Sequence, residues 1–141
     1  MKKISKERVG VELKYMLSNP NAFTSVKHFH NFGLFPYMIE IPVNCVGLTE
    51  DQIIPSFEQS YKLSEVLKYI TTQEETFPFT EIVKDHLKSD ELRFILYCAA
   101  IMSPFGGYKV IVNPKTQKTE PLVSVLMKES LKVFLLKEAF E

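Results

Sequence analysis

The sequence predicts an all-α fold: a compact domain of about six to seven helices with one long loop around residues 103–120. Apolar residues recur at helical spacing along most of the chain. Capping residues and helix breakers separate these segments. At 141 residues, of which 45% are apolar, the chain suits one domain with one main core.

The first two helices are predicted with defined ends. Ser5 suits the N-cap of a helix that runs to about Leu17, and Pro20 excludes its continuation. Pro20 also suits the first turn of a second helix, because its missing N–H has no partner there in any case. Gly33 is the expected C-cap of this second helix, since glycine adopts the left-handed conformation readily.

The middle of the chain is predicted to contain an irregular segment and three further helices. Residues 36–49 look irregular because proline and glycine interrupt them. A long helix is expected over about residues 55–72 and a short one over 80–88. The next begins at Ser89 or Asp90 and ends at the SPFGG segment.

The last part of the chain is predicted as a loop followed by a helix. Residues 108–112 (YKVIV) have strand character, but a strand needs a partner, so we predict a loop with some extended backbone. Pro121 is expected to open the last helix. The apolar face of that helix comprises Val125, Leu126, Val133, Leu136 and Phe140.

The first helix carries two charged residues among its apolar ones. Helical spacing predicts one apolar arc with Ile4, Val11 and Tyr15, a second with Val9, Leu13, Met16 and Leu17, and a solvent-facing arc with Glu7, Gly10 and Lys14. Arg8 and Glu12 lie between the apolar arcs and are four residues apart, so we expect them to form an ion pair. Two interpretations are open: the pair only fixes the packing of the helix, or it orders an adjacent site in a domain outside this chain.

Composition excludes several classes of protein. The formal net charge is zero, so no global basic field attracts nucleic acid, although a local patch is compatible with it. The two cysteines, Cys45 and Cys98, are far apart in sequence, which argues against a disulfide framework and indicates an intracellular protein. No apolar run has the roughly 20 residues that a membrane-spanning helix needs.

No catalytic or metal-binding constellation is evident. Gly106-Gly107 follows a proline and is typical of a turn rather than of a phosphate-binding loop. His28 and His30 are two residues apart on a predicted helix and therefore point in different directions, so they cannot share a metal. No D-x-D pair is available to hold magnesium ions. We therefore assign no catalytic residue and no metal ligand, and a small autonomous enzyme has almost no support.

A group of lysines near the end of the chain is the strongest candidate for contact with a polyanion. Its members are Lys109, Lys115, Lys118, Lys128 and Lys132. Lysine supplies a point charge, so such a patch would bind a phosphate backbone with little sequence preference. The alternative is an ordinary solvated lysine face.

The residues that begin the chain resemble a known family. The segment ISKERVGVELKYML (residues 4–17), a proline-started helix and then GLF (33–35) resemble the class II CCA-adding enzymes, which are tRNA nucleotidyltransferases, and are most similar to the eukaryotic forms. The segments at 99–105 and 129–132 also look like parts of the body domain of eukaryotic members. The resemblance is specific in the first 35 residues and looser afterwards.

The resemblance implies that the domains of the full enzyme have separate functions. In that family a catalytic head binds Mg²⁺ and uses CTP and ATP as substrates to add CCA to tRNA 3′ ends, while the neck selects the nucleotide and the body holds the tRNA. Residues 1–35 would then be the end of the neck and residues 36–141 the body. Glu7, Arg8 and Glu12 match the last family motif, whose implied role is to support the nucleotide pocket.

Three expectations follow from this resemblance. The head and the nucleotide-selecting E-D-x-x-R motif are missing from these residues, so the chain would be a noncatalytic fragment with at most weak tRNA affinity. Removal of the head would expose an apolar arc of the first helix, so we expect self-association. The alternative to this function is a nonenzymatic helical module whose first helix docks on a partner protein.

Overall fold

Six α-helices and a three-stranded sheet form the part of the protein that the computed structural model describes, residues 5–72, 82, 85 and 87–130. The helices are α1 (Lys6–Ser18), α2 (Ala22–Asn31), α3 (Phe35–Met38), α4 (Glu50–Thr72), α5 (Asp90–Met102) and α6 (Leu122–Val125). The strands are β1 (Cys45–Val46), β2 (Lys109–Asn113) and β3 (Lys118–Pro121). A 3₁₀ turn (Ser103–Phe105) follows α5, and a π-helical turn (Leu126–Ser130) follows α6. The predicted mostly helical fold is confirmed.

The start of α1 and the end of α2 lie where their capping residues predict, whereas α2 begins at Ala22, so Pro20 precedes the helix and is not in its first turn. The Ser5 hydroxyl accepts a hydrogen bond from the Arg8 N–H at 3.3 Å, which is a typical N-cap. Gly33 follows α2 with a φ of 60°, and its N–H donates to the His30 carbonyl at 3.1 Å. These caps satisfy backbone groups that have no partner inside the helix, so both ends are specified locally.

The long helix α4 begins earlier than predicted. It starts at Glu50, and Pro55 lies inside it rather than at its first turn. The Thr49 N–H donates to the Gln52 side chain at 3.1 Å, which is half of a capping box. This local cap starts the helix, and the proline is accommodated close to its N-terminal end.

The loop predicted around 103–120 is wrong for most of its length, because it contains a β-hairpin. Strand β2 pairs antiparallel with β3, and on its other side with β1, where Cys45 lies opposite Val110. The Asn44 side chain donates to the Ile111 carbonyl beside this pairing. Strand β1 and helix α3 also correct the prediction that residues 36–49 are irregular. Strand β1 is far from β2 in sequence, so local patterns could not reveal that pairing. Strand β3 is only four residues from β2, but its sequence, KTEP, has no apolar strand pattern.

The hydrophobic core lies around α5, which packs against α1 on one side and α4 on the other. Ser60 on α4 is fully buried, and its hydroxyl donates to the Ile101 carbonyl on α5 at 2.6 Å. In the same core the Phe35 and Phe57 rings stack with centroids 5.6 Å apart, and Phe105 meets Phe57 edge to face at 5.2 Å. The predicted boundary between residues 35 and 36 stays a prediction.

Two predictions fall mainly outside the described residues. Of the short helix expected at 80–88, residues 82, 85, 87 and 88 are described, and they are helical. Pro121 does precede a helical segment, as predicted, with Leu126 buried behind it. Val133, Leu136 and Phe140, expected on the same apolar face, lie outside the described residues.

Candidate functional site

An open groove of about 520 Å³ runs along α1 and ends against α2 and α3. Its lining comprises five apolar residues, Val9, Leu13, Met16, Phe29 and Met38, and two charged ones, Arg8 and Glu12. Three of the apolar residues recur on α1 at intervals of four and three, which places them on one face of the helix. The groove is therefore apolar along its floor, with charged groups contributed by one helix.

The charged residues of the groove are not arranged as predicted. Arg8 and Glu12 are both exposed. The ion pairs within the described part of the chain join Lys6 to Glu40, His30 to Glu58, Lys88 to Asp85 and Arg93 to Asp90, and Arg8–Glu12 is not among them. The predicted pair is therefore wrong: since water solvates both groups, neither needs the other to offset burial.

The rotation of α1 also differs from the prediction. The line that faces the core is Gly10, Leu13 and Leu17, whereas Gly10 was expected to face solvent. Val11 and Tyr15 were expected to form a packed apolar arc, but they are 67% and 73% exposed. The reason is that α1 packs against α5 and α2, and these contacts cover only part of its circumference. The helix therefore has one buried side, and its other apolar residues lie in the groove or in solvent.

A buried arginine that sequence reasoning missed holds α1 against α5. Arg93 is 7% exposed. Its Nε donates to the Leu87 carbonyl at 2.9 Å, and its Nη1 donates to Asp90 at 2.8 Å and to the Ser18 carbonyl at the end of α1. Hydrogen bonds satisfy the guanidinium in several directions, as a buried charge requires. The available signal was an arginine inside the apolar run LRFILYC, three residues after an aspartate.

Among the described candidate lysines, two that lie on the hairpin are on opposite faces. Lys109 and Lys118 are exposed on β2 and β3. Val110 lies opposite Glu120, so strand alternation places Lys118 on the face of Val110 and Lys109 on the other face. Lys115 is exposed in the hairpin turn and Lys128 in the π-helical turn. Lys132 lies outside the described residues.

The two histidines have different surroundings. The His30 ring stacks on Tyr61, with ring centroids 3.9 Å apart and planes 4° apart, and its Nδ1 lies 3.8 Å from Glu58. His28 is exposed and lies near Phe32, with centroids 6.2 Å apart. His30 therefore joins α2 to α4 by packing, which agrees with a structural role. In the described ranges, no group of three or more His, Cys, Asp or Glu residues is placed to hold a metal ion.

Burial raises the pKa values of two side chains on α5. It raises the pKa of the Tyr97 hydroxyl to about 12, against a smaller opposing effect of Arg93. It also raises the pKa of the Cys98 thiol to about 12. The thiolate is the nucleophilic form of cysteine, so Cys98 stays protonated and unreactive at neutral pH. This agrees with its predicted place in the core.

The first part of the chain matches one family model. Residues 1–42 match the family described as "Probable RNA and SrmB- binding site of polymerase A". No curated protein and no solved structure matches the chain. In the segments that the structure describes, no helix is both long and apolar enough to cross a membrane. The described residues that line the groove all lie inside the matched segment. The match indicates an RNA-binding region of the type found in polymerase A-like enzymes.

Proposed function

We propose that this chain is the neck and body portion of a CCA-adding tRNA nucleotidyltransferase, in which it binds tRNA but performs no chemistry itself. The observation that carries the proposal is the match of residues 1–42 to a polymerase RNA-binding region. The S-x-E-R-V-x-x-E-L motif falls within that segment and forms α1. The choice of CCA addition over poly(A) addition rests on the resemblance of this motif to the CCA-adding enzymes.

The exposed charges of α1 suit a supporting role in a nucleotide pocket. Glu7, Arg8 and Glu12 all reach solvent, and the last two border the groove. Charged side chains at a groove can fix the orientation of an element that packs there, without touching the reacting atoms. We place the Mg²⁺ in the catalytic head, where CTP and ATP are the substrates. The role of α1 is to position the residues that contact the CTP or ATP.

The body would contact tRNA through its exposed lysines. Lys115 lies at the turn of the hairpin and Lys118 follows it in β3, so both project from the domain. Such point charges attract phosphates without reading bases. Lys109 is on the other face of the hairpin, so it would contact a different part of the tRNA phosphate backbone. Lys128, which is exposed in the π-helical turn, would add a further contact.

The activity is tested with the full-length protein that contains this chain. Purified protein is incubated with tRNA transcripts that end before the CCA, after the first C or after the second, together with CTP and ATP. We expect each transcript to be completed to CCA and nucleotide addition to stop there, as read on a sequencing gel. Long A tails would instead identify a poly(A) polymerase. No addition at all would favour a helical module that docks on a partner protein.

The role of α1 is tested by Arg8→Ala in the same protein. We expect nucleotide addition to fall more than tRNA affinity does. Lys14→Ala is the matched control, because Lys14 is an exposed cation on the same helix that does not line the groove. Equal losses of addition and affinity, or a loss of folding alone, would leave Arg8 with a structural role only.

The lysine contact is tested by Lys115→Glu combined with Lys118→Glu. Each lost phosphate contact should reduce the salt dependence of tRNA binding by about one unit of log–log slope. The control reverses two exposed lysines on helices, Lys27 and Lys62. An unchanged slope in the hairpin variant would mean that these lysines are merely solvated.

A further inference from the structure

We infer that the exposed face of α2 and the turn after it bind unpaired nucleotides of RNA, with Phe32 and Tyr37 stacking on bases and Lys27 contacting a phosphate. This inference deepens the proposed function: it rests on the RNA-binding role proposed there and names the part of the RNA that these residues contact. It does not depend on the choice between CCA addition and poly(A) addition.

Two exposed aromatic rings flank the turn at Gly33. Phe32 is the C-cap of α2 and is 72% exposed, and Tyr37 on α3 is 83% exposed. Gly33 lies between them with a φ of 60°. Aromatic rings gain more than most side chains from burial, so two of them exposed around one turn contribute little to the stability of the fold. Their exposure is informative because it leaves their flat faces accessible to a ligand.

The exposed face of α2 is polar and leads directly to Phe32. Helical spacing places four exposed side chains on this face: Thr24, Lys27, His28 and Asn31. Hydroxyl, amide and ammonium groups are the donors that proteins use to contact phosphate and sugar. The His28 ring lies beside the Phe32 ring, with centroids 6.2 Å apart and planes tilted by 55°. The face therefore combines donors for a nucleic-acid backbone with rings suited to bases.

The charge around this face favours a polyanion, although the whole chain is neutral. Residues 13–39 contain two lysines and neither Asp nor Glu. Glu58 on α4 lies 3.8 Å from His30, but His30 is about 200° around α2 from His28, so this carboxylate is on the other side of the helix. A local excess of positive charge attracts phosphates without requiring a net positive chain.

The family match gives the class of ligand, and the rings indicate that its bases are unpaired. All residues of this face lie within residues 1–42, which match an RNA-binding region. Aromatic side chains stack on bases in single strands, where neighbouring bases do not cover them. A double-stranded stem presents mainly phosphates and 2′-hydroxyls, for which lysines are sufficient. Phe32 and Tyr37 therefore point to a single-stranded part of the RNA, such as a 3′ end.

A tryptophan probe tests the stacking directly. The chain contains no tryptophan, so Phe32→Trp introduces a single indole at the proposed stacking position. We expect a short single-stranded RNA of mixed sequence to quench its fluorescence, because stacking on a base quenches indole emission. The same sequence in a perfect duplex should quench it much less. Tyr69→Trp is the control, since Tyr69 is 62% exposed on α4 outside the matched segment, and its emission should stay nearly constant.

Substitutions at Phe32 separate base stacking from simple apolar contact. The affinity of the full chain for the same labelled RNA is measured by fluorescence anisotropy at low salt. Phe32→Ala and Phe32→Leu should each weaken binding about fivefold or more, because both remove the ring. Phe32→Tyr keeps the ring and should retain the affinity. Lys27→Ala should reduce the log–log salt slope by about 0.7, as expected for one phosphate contact of a single strand. Circular dichroism checks that each variant stays helical.

Three outcomes would overturn the inference. The first is that single-stranded RNA leaves the Phe32→Trp emission unchanged, or that the duplex quenches it equally. The second is that Phe32→Ala binds the RNA as tightly as the parent chain. The third is that Phe32→Leu binds as well as Phe32→Tyr, which would indicate an apolar contact of the kind that a protein partner makes. If these tests succeed but the full-length protein adds no CCA, the RNA contact stands and only the proposed function fails.

Discussion

Arg8 and Arg93 both interrupt apolar helical segments, yet Arg8 is exposed and Arg93 is buried. Arg8 on α1 is exposed at the edge of a groove and has no ion-pair partner in the described part of the chain. Arg93 on α5 is 7% exposed and donates to two carbonyls and a carboxylate. The first is available for a partner outside the described residues. Arg93 instead donates its hydrogen bonds to groups within the fold.

The difference teaches that an apolar neighbourhood in sequence does not decide whether a charge is buried. The side of the helix on which the charge lies, relative to the elements that pack there, decides it. Helix α5 packs against α1 and α4, so Arg93 is covered on several sides and needs partners for its donors. Helix α1 also packs against two helices, α5 and α2, but Arg8 lies beside the open groove and not on the buried line of the helix. The Arg8 side chain therefore stays solvated.

The largest expected difference is in the cost of truncating each arginine. Arg93→Ala leaves the Ser18 and Leu87 carbonyls without this donor, so we expect a loss of about 3 kcal/mol in the free energy of unfolding. Arg8→Ala should cost less than about 0.5 kcal/mol, as for other exposed charges. Urea denaturation at 25 °C measures both. Similar losses for the two variants would contradict the comparison.

A smaller difference is expected when each arginine is replaced by lysine. Arg93→Lys keeps the charge but loses the fork of donors that reaches several acceptors, so we expect a loss of about 1–2 kcal/mol. Arg8→Lys should be neutral for stability. The same denaturation experiment applies. If Arg93→Lys retains full stability, charge alone holds α1 against α5 and the hydrogen-bond geometry is unimportant.

The two regions should also differ in alkaline solution. The pKa of Tyr97 is about 12 in the folded protein, against about 10 for an ordinary tyrosine. Between these values the unfolded chain loses the proton and the folded protein keeps it, so Tyr97 makes stability fall as the pH rises from about 10 to about 12. Tyr97→Phe should reduce this fall.

The matched control for this pH experiment is Tyr15→Phe, because Tyr15 is 73% exposed on α1. Its slope is the reference with which the slope of Tyr97→Phe is compared. The buried Cys98 thiol acts in the same direction as Tyr97 and is present in both variants, so it cancels in the comparison. Equal slopes for the two variants, from unfolding free energies measured at several pH values, would show that Tyr97 titrates normally.

The smallest expected difference concerns the carboxylates. Asp90 is 2.8 Å from Arg93, but its side chain is 76% exposed, so water weakens the pair. We expect Asp90→Ala to cost about 0.5–1 kcal/mol, which includes its favourable position at the start of α5. Glu12→Ala should cost nothing measurable. A larger loss for Glu12 than for Asp90 in urea denaturation would reverse the comparison.

Much of the helical fold could be predicted because its signals are local. Ser5, Gly33 and Ser89 cap helices through hydrogen bonds within three residues, so nearby sequence contains the whole interaction. The pairing of β1 with the hairpin could not be predicted in the same way. Val110 pairs with Cys45 across a long stretch of chain, and residues 45–46 have no strand pattern by themselves.

The candidate site was predicted in its residues but not in its geometry. The motif on α1 did indicate Arg8 and Glu12, and both border the groove. Their expected ion pair and the expected arcs of α1 were wrong, because helical spacing gives the relative directions of side chains and not the rotation of the helix against its neighbours. Met38 comes from α3, a helix that the sequence did not predict.

The sequence by itself determined the helical class, the ends of the first helices and the resemblance of α1 to a polymerase motif, since each depends on residues that are close together in the chain. Tertiary structure alone decided that Gly10 faces inward, that Arg93 is buried and that Arg8 is exposed. The physical reason is that burial depends on which elements pack around a helix. That packing arises from contacts between residues far apart in sequence, and no local pattern contains it.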